Sequence, residues 1–475
     1  MRKISHLEPK DVFTYFEDIS QIPRGSGKTD AVREYCIEYA KANGFEYIAD
    51  EAGNIIIFAP ASQGRETEEP VIIQGHLDMV WEKDAGCDIN FETEGLRLET
   101  DGKYVWADGT TLGGDDGIAV AMCLALMAGD YSHPPIEAVF TTDEETGMTG
   151  AAALDCSPLR GRRMINIDSE AEGILWVSCA GGARVDIDVP LAHLPVESSC
   201  LEISISGLHG GHSGGEIHIG YASANRLMAR LLSRLYTSLP FRLVSVCGGT
   251  MTNAITREST CVIVTDYPES AEKIKDIFSD FVSEYRDLEP NMTVSIRESK
   301  TDSAADFEGT LKAVNLLAEL PYGVREMSAD IEGLVHTSLN LGTLETVQGV
   351  IRAGYSVRGM SDSGRRALTL KICTIAEKYG ASYRIHGEYP AWEYKKESPL
   401  RDAVAACFRE QYGKEPEITA VHAGLECGLF CGKIPGLDCV SVGPDILDIH
   451  TPCERLSVPS CRRTWTLLLG ILKQI

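Results

Sequence analysis

Three apolar runs in the first third of the chain each give way at once to imidazole or carboxylate side chains. VIIQG at 71–75 leads into His76, Ile136–Thr142 leads into Asp143, Glu144 and Glu145, and Met164–Ile167 leads into Asp168. Short apolar runs bounded by polar turns read as buried strands. Residues capable of chemistry then gather at the C-terminal strand ends, the edge where open α/β sheets hold ligands. Around these runs, 28–43 suits an amphipathic helix, 45–48 and Asn54–Phe58 suit further strands, and IAVAMCLALMAG suits a buried helix. The first third therefore predicts an α/β domain.

A length of 475 residues exceeds one typical core, and the texture changes near 187. LEISISGLHG and CVIVTDY alternate like strands, while 221–238 and 270–286 have helical character. Helices are again expected at 400–412 and 460–472. The expected organisation is a first part at 1–186, an inserted α/β domain at 187–388, and a return to the first domain at 389–475.

Composition narrows the partners. A formal charge of -26 disfavours nucleic acid, because phosphate binding wants a cationic surface. No run reaches the ~20 apolar residues of a membrane span. The fifteen cysteines are scattered and odd in number, which favours reduced thiols over a disulfide scaffold. With no apolar secretory core in MRKISHLEPKDVFTYFEDI, the expected location is cytoplasmic.

The motifs carry more. In His76-Leu77-Asp78, the imidazole is free to bind a metal while Asp78 orients it through the other ring N–H; a local hydrogen-bonded turn is the plain alternative. GGDDG at 113–117 sets Asp115 and Asp116 before the buried helix, either as a cap or as a carboxylate bridging two cations. In the turn 141–147, adjacent Glu144 and Glu145 can divide the work, one fixed on a metal and the other exchanging a proton with water. Asp168 or its neighbour Glu170 supplies a further acid, and GPDILDIHTPCERLS places His450 among several more. This imidazole-and-carboxylate inventory suits a borderline divalent ion such as zinc.

In order, HLD, GGDDG, the DEE turn, NID and IHTPCE resemble the M20 metallopeptidase family, and within it the bacterial aminoacyl-histidine dipeptidase branch. The resemblance runs from the first helical region to the last. It implies a metal-dependent exopeptidase-type catalytic domain with an inserted α/β lid or dimerisation domain. It also implies two divalent ions, Zn2+ with Co2+ or Mn2+ as substitutes: His76, Asp115 and Asp168 on one, and Asp115, Glu145 and His450 on the other. Glu144 becomes the general base and Asp78 the support of His76.

The middle of the chain offers further candidates. The glycine-rich stretch 207–215 carries His209 and His212; its resemblance to the family's HSG segment brings His212 forward for oxyanion stabilisation. Asn253 in GGTMTNAITRE orients substrate or caps a turn, and Arg358 in YSVRGMSDSGRR is a carboxylate clamp or a surface arginine. The resemblance favours the substrate roles, and adds Gly424 and Glu426 from HAGLECG. The implied activity is hydrolysis of unblocked dipeptides, Xaa-His and β-alanyl-histidine above all, by a homodimer joined through the inserted domain. The alternatives are an N-acyl-amino-acid amidohydrolase or tripeptidase on the same metal core, and a non-catalytic metal-dependent binding protein.

Overall fold

Strands buried on both faces account for the apolar runs. Val71–His76 and Ile136–Thr141 are buried at every position, and Arg163–Asn166 at all but the first. Successive side chains of a strand face opposite ways. Ile55, Ile57, Val71, Ile73, Ala138 and Phe140 join one large core, while the intervening Ile56, Ile72, Val139 and Met164 are buried outside that cluster. Covering both faces is what central parallel strands require.

This computed structural model describes residues 2–475. The chain divides into two compact units, the first from 1–179, 394–420 and 425–475, the second from 180–393 and 421–424. The junctions fall after Cys179 and after Glu393, and not at 186/187 and 388/389. The reason is pairing: strand Gly181–Pro190 is bonded on both sides, to Val350–Gly359 and to Ser382–Tyr389, all in the second unit.

The first unit is built on an eight-stranded sheet. Its order is Glu46–Ala49, Ile55–Ala59, Ile136–Thr141, Val71–His76, Arg163–Asn166, Asp438–Ser441, Ile174–Cys179 and Glu417–Val421. The four strands from Ile136–Thr141 to Asp438–Ser441 run parallel. His76 pairs with Thr141, and Gln74 and Ser441 both pair with Asn166, so their C-terminal ends share one edge. The buried helix Gly114–Ala128 packs on the core with Lys10–Ser20, whose Val12, Phe13 and Phe16 are fully buried. A four-stranded sheet ties late chain to early: Ile446–Leu447, Arg455–Ser457, Tyr104–Ala107, Leu98–Thr100. It brings the turn carrying His450 back to the segment that precedes GGDDG.

The second unit has a nine-stranded antiparallel sheet. Helices Ala224–Ser238, Ser270–Glu284, Phe307–Glu319 and Asp362–Lys378 bury their apolar faces in its core, through residues such as Leu231, Phe281, Leu316 and Ile372. Among the described residues there is no disulfide, and no helix is long and apolar enough to cross a membrane.

Candidate active site

His76 ends its strand fully buried, with both ring nitrogens engaged. Nδ1 lies 3.0 Å from the Asp78 backbone carbonyl and 3.5 Å from the Asp78 carboxylate, so the carbonyl is the nearer acceptor. Nε2 is 3.0 Å from Asp115 and 3.6 Å from Asp168. An Nδ1–H held in this way leaves Nε2 as the metal-facing lone pair.

Asp115 reaches the cluster because its backbone is extended (φ -79°, ψ 108°) where the helix is about to begin. Its second oxygen lies 3.3 Å from His450 Nε2, which is also 2.9 Å from Glu145. Donor atoms of His76, Asp115 and Asp168 all fall within 4.8 Å of one another, as do those of Asp115, Glu145 and His450. Asp115 belongs to both sets, through different oxygens on the two imidazoles. A third grouping, His76 with Glu144 and Glu145, overlaps these. Glu170, the alternative to Asp168, is in none of them. Asp116 turns elsewhere, its carboxylate accepting the His76 backbone N–H at 3.2 Å.

The electrostatics are those of crowded anions. Burial raises the Asp115 carboxyl, but hydrogen bonds from His450 and His76 outweigh it and hold the group below the usual range. The His450 imidazole is pushed up to about 10 by Asp115 and Glu145. Burial raises Asp168 to about 6 and Glu170 to about 7, and raises Glu144 well above a normal carboxyl, with Asp168, Glu426 and Glu145 adding to it. Such a cluster is stable only with positive charge among its members. Two imidazoles with hard carboxylates are a donor set that fits a pair of divalent ions.

The sequence reading passed over Arg24, Ser26 and Glu454. Ser26 Oγ donates to Asp78 at 2.7 Å, while Arg24 and Glu454 are buried against the HLD and GGDDG loops. A serine and an arginine in PRGSG carry no sequence mark of burial; the only signal for Glu454 is its place four residues after His450. Glu426 lies in this unit, fully buried, taking hydrogen bonds from Gln74 and Thr141 at 2.6 and 2.7 Å. Burial raises its carboxyl to about 8.

The second unit holds a polar cluster of its own. Arg358 stands near the end of strand Val350–Gly359, three residues before the Ser361 cap of helix Asp362–Lys378, and is buried at 7% exposure and not on the surface. It donates to the Tyr389 hydroxyl at 3.1 Å, its Nη2 lies 3.4 Å from His212 Nε2, and its Nε has no partner. His212 Nδ1 accepts the Gly215 backbone N–H at 3.0 Å, so in the neutral ring Nε2 carries the proton. Burial and the Arg358 charge both favour that neutral form. Two donors therefore face each other with no acceptor between them, as an anion site requires. A Cβ on Gly214 would stand 2.5 Å from the His422 carbonyl and 2.9 Å from the His212 ring, so only glycine lets these approach. His422 is bonded to Ser338 at 2.7 Å. The Asn253 carbonyl accepts from Ser213 N at 2.9 Å, and Asn340, also missed in sequence, braces 252–254 through two carbonyls. Gly424 is half-buried in the 421–424 segment of this unit.

Residues 72–474 match Peptidase family M20/M25/M40. The chain belongs to this family. As an M20 peptidase it is a peptide hydrolase, and its similarity to a curated relative is full-length. It is 35% identical to the Cytosol non-specific dipeptidase of Escherichia coli (strain K12), covering 100% of this chain and 99% of that protein. Among solved structures, the Aminoacylhistidine Dipeptidase from Vibrio alginolyticus is 34% identical with a TM-score of 0.93, covering 100% of this chain and 98% of that one. The aminopeptidase PepT from Bacillus cereus, at 15% identity and a TM-score of 0.57 over 98% and 99% of the two chains, shares the M20 fold.

Proposed function

We propose that the chain is a cytoplasmic dipeptidase that hydrolyses unblocked dipeptides, with Xaa-His and β-alanyl-histidine as its preferred class. The observation that carries this reading is the pair of overlapping ligand sets sharing Asp115, with the half-buried Glu144 carboxyl beside them. His76, Asp115 and Asp168 hold one divalent ion; Asp115, Glu145 and His450 hold the second. Zinc suits these donors best, with cobalt or manganese able to replace it. The full-length likeness to two dipeptidases supports the substrate class and the cytoplasmic assignment. We further assign a homodimer joined through the second unit.

Two bound divalent ions would polarise the scissile carbonyl and lower the pKa of the attacking water toward neutrality. Glu144 takes the proton from that water. Its raised proton affinity, which bound cations would moderate, suits the task. Asp78 holds His76 from behind and fixes the backbone of the Glu144 turn. The His212 Nε2–H donates to the oxyanion of the tetrahedral intermediate, and Glu144 returns its proton to the departing amine. Arg358 pairs with the substrate's terminal carboxylate, and Asn253 and Gly424 complete the substrate-side set; Glu426, expected among them, is fully buried on Gln74 and Thr141 and supports the site from within. In a dipeptide, a single Cα separates the scissile amide from the carboxylate. Donors only 3.4 Å apart, His212 and Arg358, suit that short spacing.

A substrate panel tests the reading: kcat/KM of metal-loaded protein on free dipeptides, tripeptides and N-acetyl amino acids. Dipeptides should lead by at least tenfold. A preference for N-acetyl amino acids would replace the assignment with an amidohydrolase, and a preference for tripeptides would replace it with a tripeptidase.

A further inference from the structure

Glu454 and Arg24 are oppositely charged, 2% and 1% exposed, and grip the same loop from its two kinds of backbone group. The Glu454 carboxylate accepts three successive N–H groups, those of Leu112 and Gly114 at 2.8 Å and of Gly113 at 3.0 Å. Arg24 donates through Nη2 to the Gly113 carbonyl, and through Nη1 to the carbonyls of Leu77 at 3.0 Å and Asp78 at 3.2 Å. Gly113 sits at φ +64°, and a Cβ there would stand 2.4 Å from the Arg24 guanidinium, so the glycine admits the arginine. A buried charge is costly unless paired and hydrogen-bonded. Here Glu454 is satisfied by peptide N–H groups and the two terminal nitrogens of Arg24 by carbonyls, its Nε alone being without a partner, and the two charges compensate one another across the Gly113 backbone.

The bonds end where the ligands begin. Asp115 follows Gly114 directly, His76 precedes Leu77, and Glu454 closes the turn that starts at His450, its N–H bonded to the Thr451 carbonyl at 3.1 Å. We propose that Arg24 and Glu454 form a positioning clamp that sets the HLD loop, the GGDDG loop and the His450 turn in register, so that Asp115 can serve both ligand sets. Neither side chain is among the metal-type groups; they act through the backbone that aims those groups. The inference rests on the two-ion reading of the site. Groups hydrogen-bonded directly to metal ligands govern roughly 10- to 100-fold in metal affinity, which sets the upper scale for a clamp that acts through the adjoining backbone.

The test is calorimetric titration of Zn2+ into apo full-length protein: parent, Glu454→Gln, Arg24→Lys and Glu137→Gln. Glu137 is the control, another buried carboxylate of the same unit that accepts backbone N–H groups, from Arg160 at 2.9 Å and Gly161 at 3.0 Å, at the opposite edge of the sheet. Glu454→Gln should bind Zn2+ at least tenfold more weakly. Arg24→Lys, which keeps the charge but loses the fork, should show a smaller loss in the same direction. Glu137→Gln should lower Tm with parent-like affinity. Parent-like titration of the two clamp variants overturns the clamp, as does an equal loss in the control. Should Glu454→Gln not fold, Arg24→Lys alone decides between these outcomes. A parent that fails to take up two ions overturns the metal reading itself, a result distinct from either.

Discussion

The Asp78 carboxylate accepts the backbone N–H of Glu144 at 3.1 Å while its other oxygen takes the hydroxyl of Ser26 at 2.7 Å. The residue that stands behind His76 therefore also pins the turn carrying the proposed base. Replacing Asp78 with Ala should reduce metal affinity and also lower kcat in protein saturated with metal, each by roughly 10- to 100-fold. A variant whose kcat recovers fully at high metal would show that the link to the Glu144 turn has no catalytic weight.

Glu144→Gln separates chemistry from metal binding more sharply. The amide cannot take a proton from water, so kcat should fall by roughly 10²- to 10⁴-fold, while metal content measured by mass spectrometry stays at two ions. Undiminished turnover in the metal-saturated variant would remove Glu144 from the mechanism.

The shared position of Asp115 makes an asymmetric prediction about metal content. Asp115→Ala should lose both ions, whereas Glu145→Ala and His450→Ala should each retain the ion held by His76 and Asp168. Two occupied sites in the Asp115 variant would contradict the bridge.

Arg358 can be tested through its partner. C-terminal amidation of a dipeptide should lower kcat/KM by an amount on the order of 10- to 100-fold in the parent, the scale of a charge-assisted hydrogen bond. In Arg358→Ala the same amidation should cost little, because the interaction is already gone. Equal penalties in both proteins would take the clamp role from Arg358.

His422 predicts an acid-dependent loss of stability. Burial, with the Arg358 charge next, pushes its imidazole down to about 3. An unfolded histidine titrates near 6.5, so between these values the unfolded chain binds the extra proton and stability falls as pH drops. At pH 5 the loss relative to pH 7 amounts to about 2 kcal/mol. Urea unfolding at both values should show the parent losing more stability on acidification than His422→Gln, by about that amount. Equal slopes would place the titrating group elsewhere.

The cluster is legible in sequence because His76, Glu144 and Asp168 each follow a strand whose apolar run announces it. Parallel pairing does the rest, setting His76 opposite Thr141 and Gln74 opposite Asn166. Arg24 and Ser26 are not legible, since their value lies in backbone carbonyls and in a carboxylate reached across the fold, and no local pattern encodes such a reach. Arg358 shows the same blindness: the run SDSGRR correctly announces the helix that follows, but the burial of Arg358 comes from strand pairing across the sheet, which no local pattern encodes. The unit boundary near 180 is hidden for a similar reason, because Gly181–Pro190 takes its partners from about 170 and 200 residues downstream.

Strand Asp438–Ser441 lies between Arg163–Asn166 and Ile174–Cys179 in the eight-stranded sheet. During synthesis, residues 1–179 leave the ribosome with a stave missing between Arg163–Asn166 and Ile174–Cys179, and without His450. At roughly 5–20 residues per second, tens of seconds pass before the stave and the last ligand arrive. The second unit, nearly all of it encoded by 180–393, is translated in that interval. On the proposed ligand assignment, hydrolytic power is thus the last property the nascent chain acquires, and any product cut short before His450 is born without a complete second ligand set.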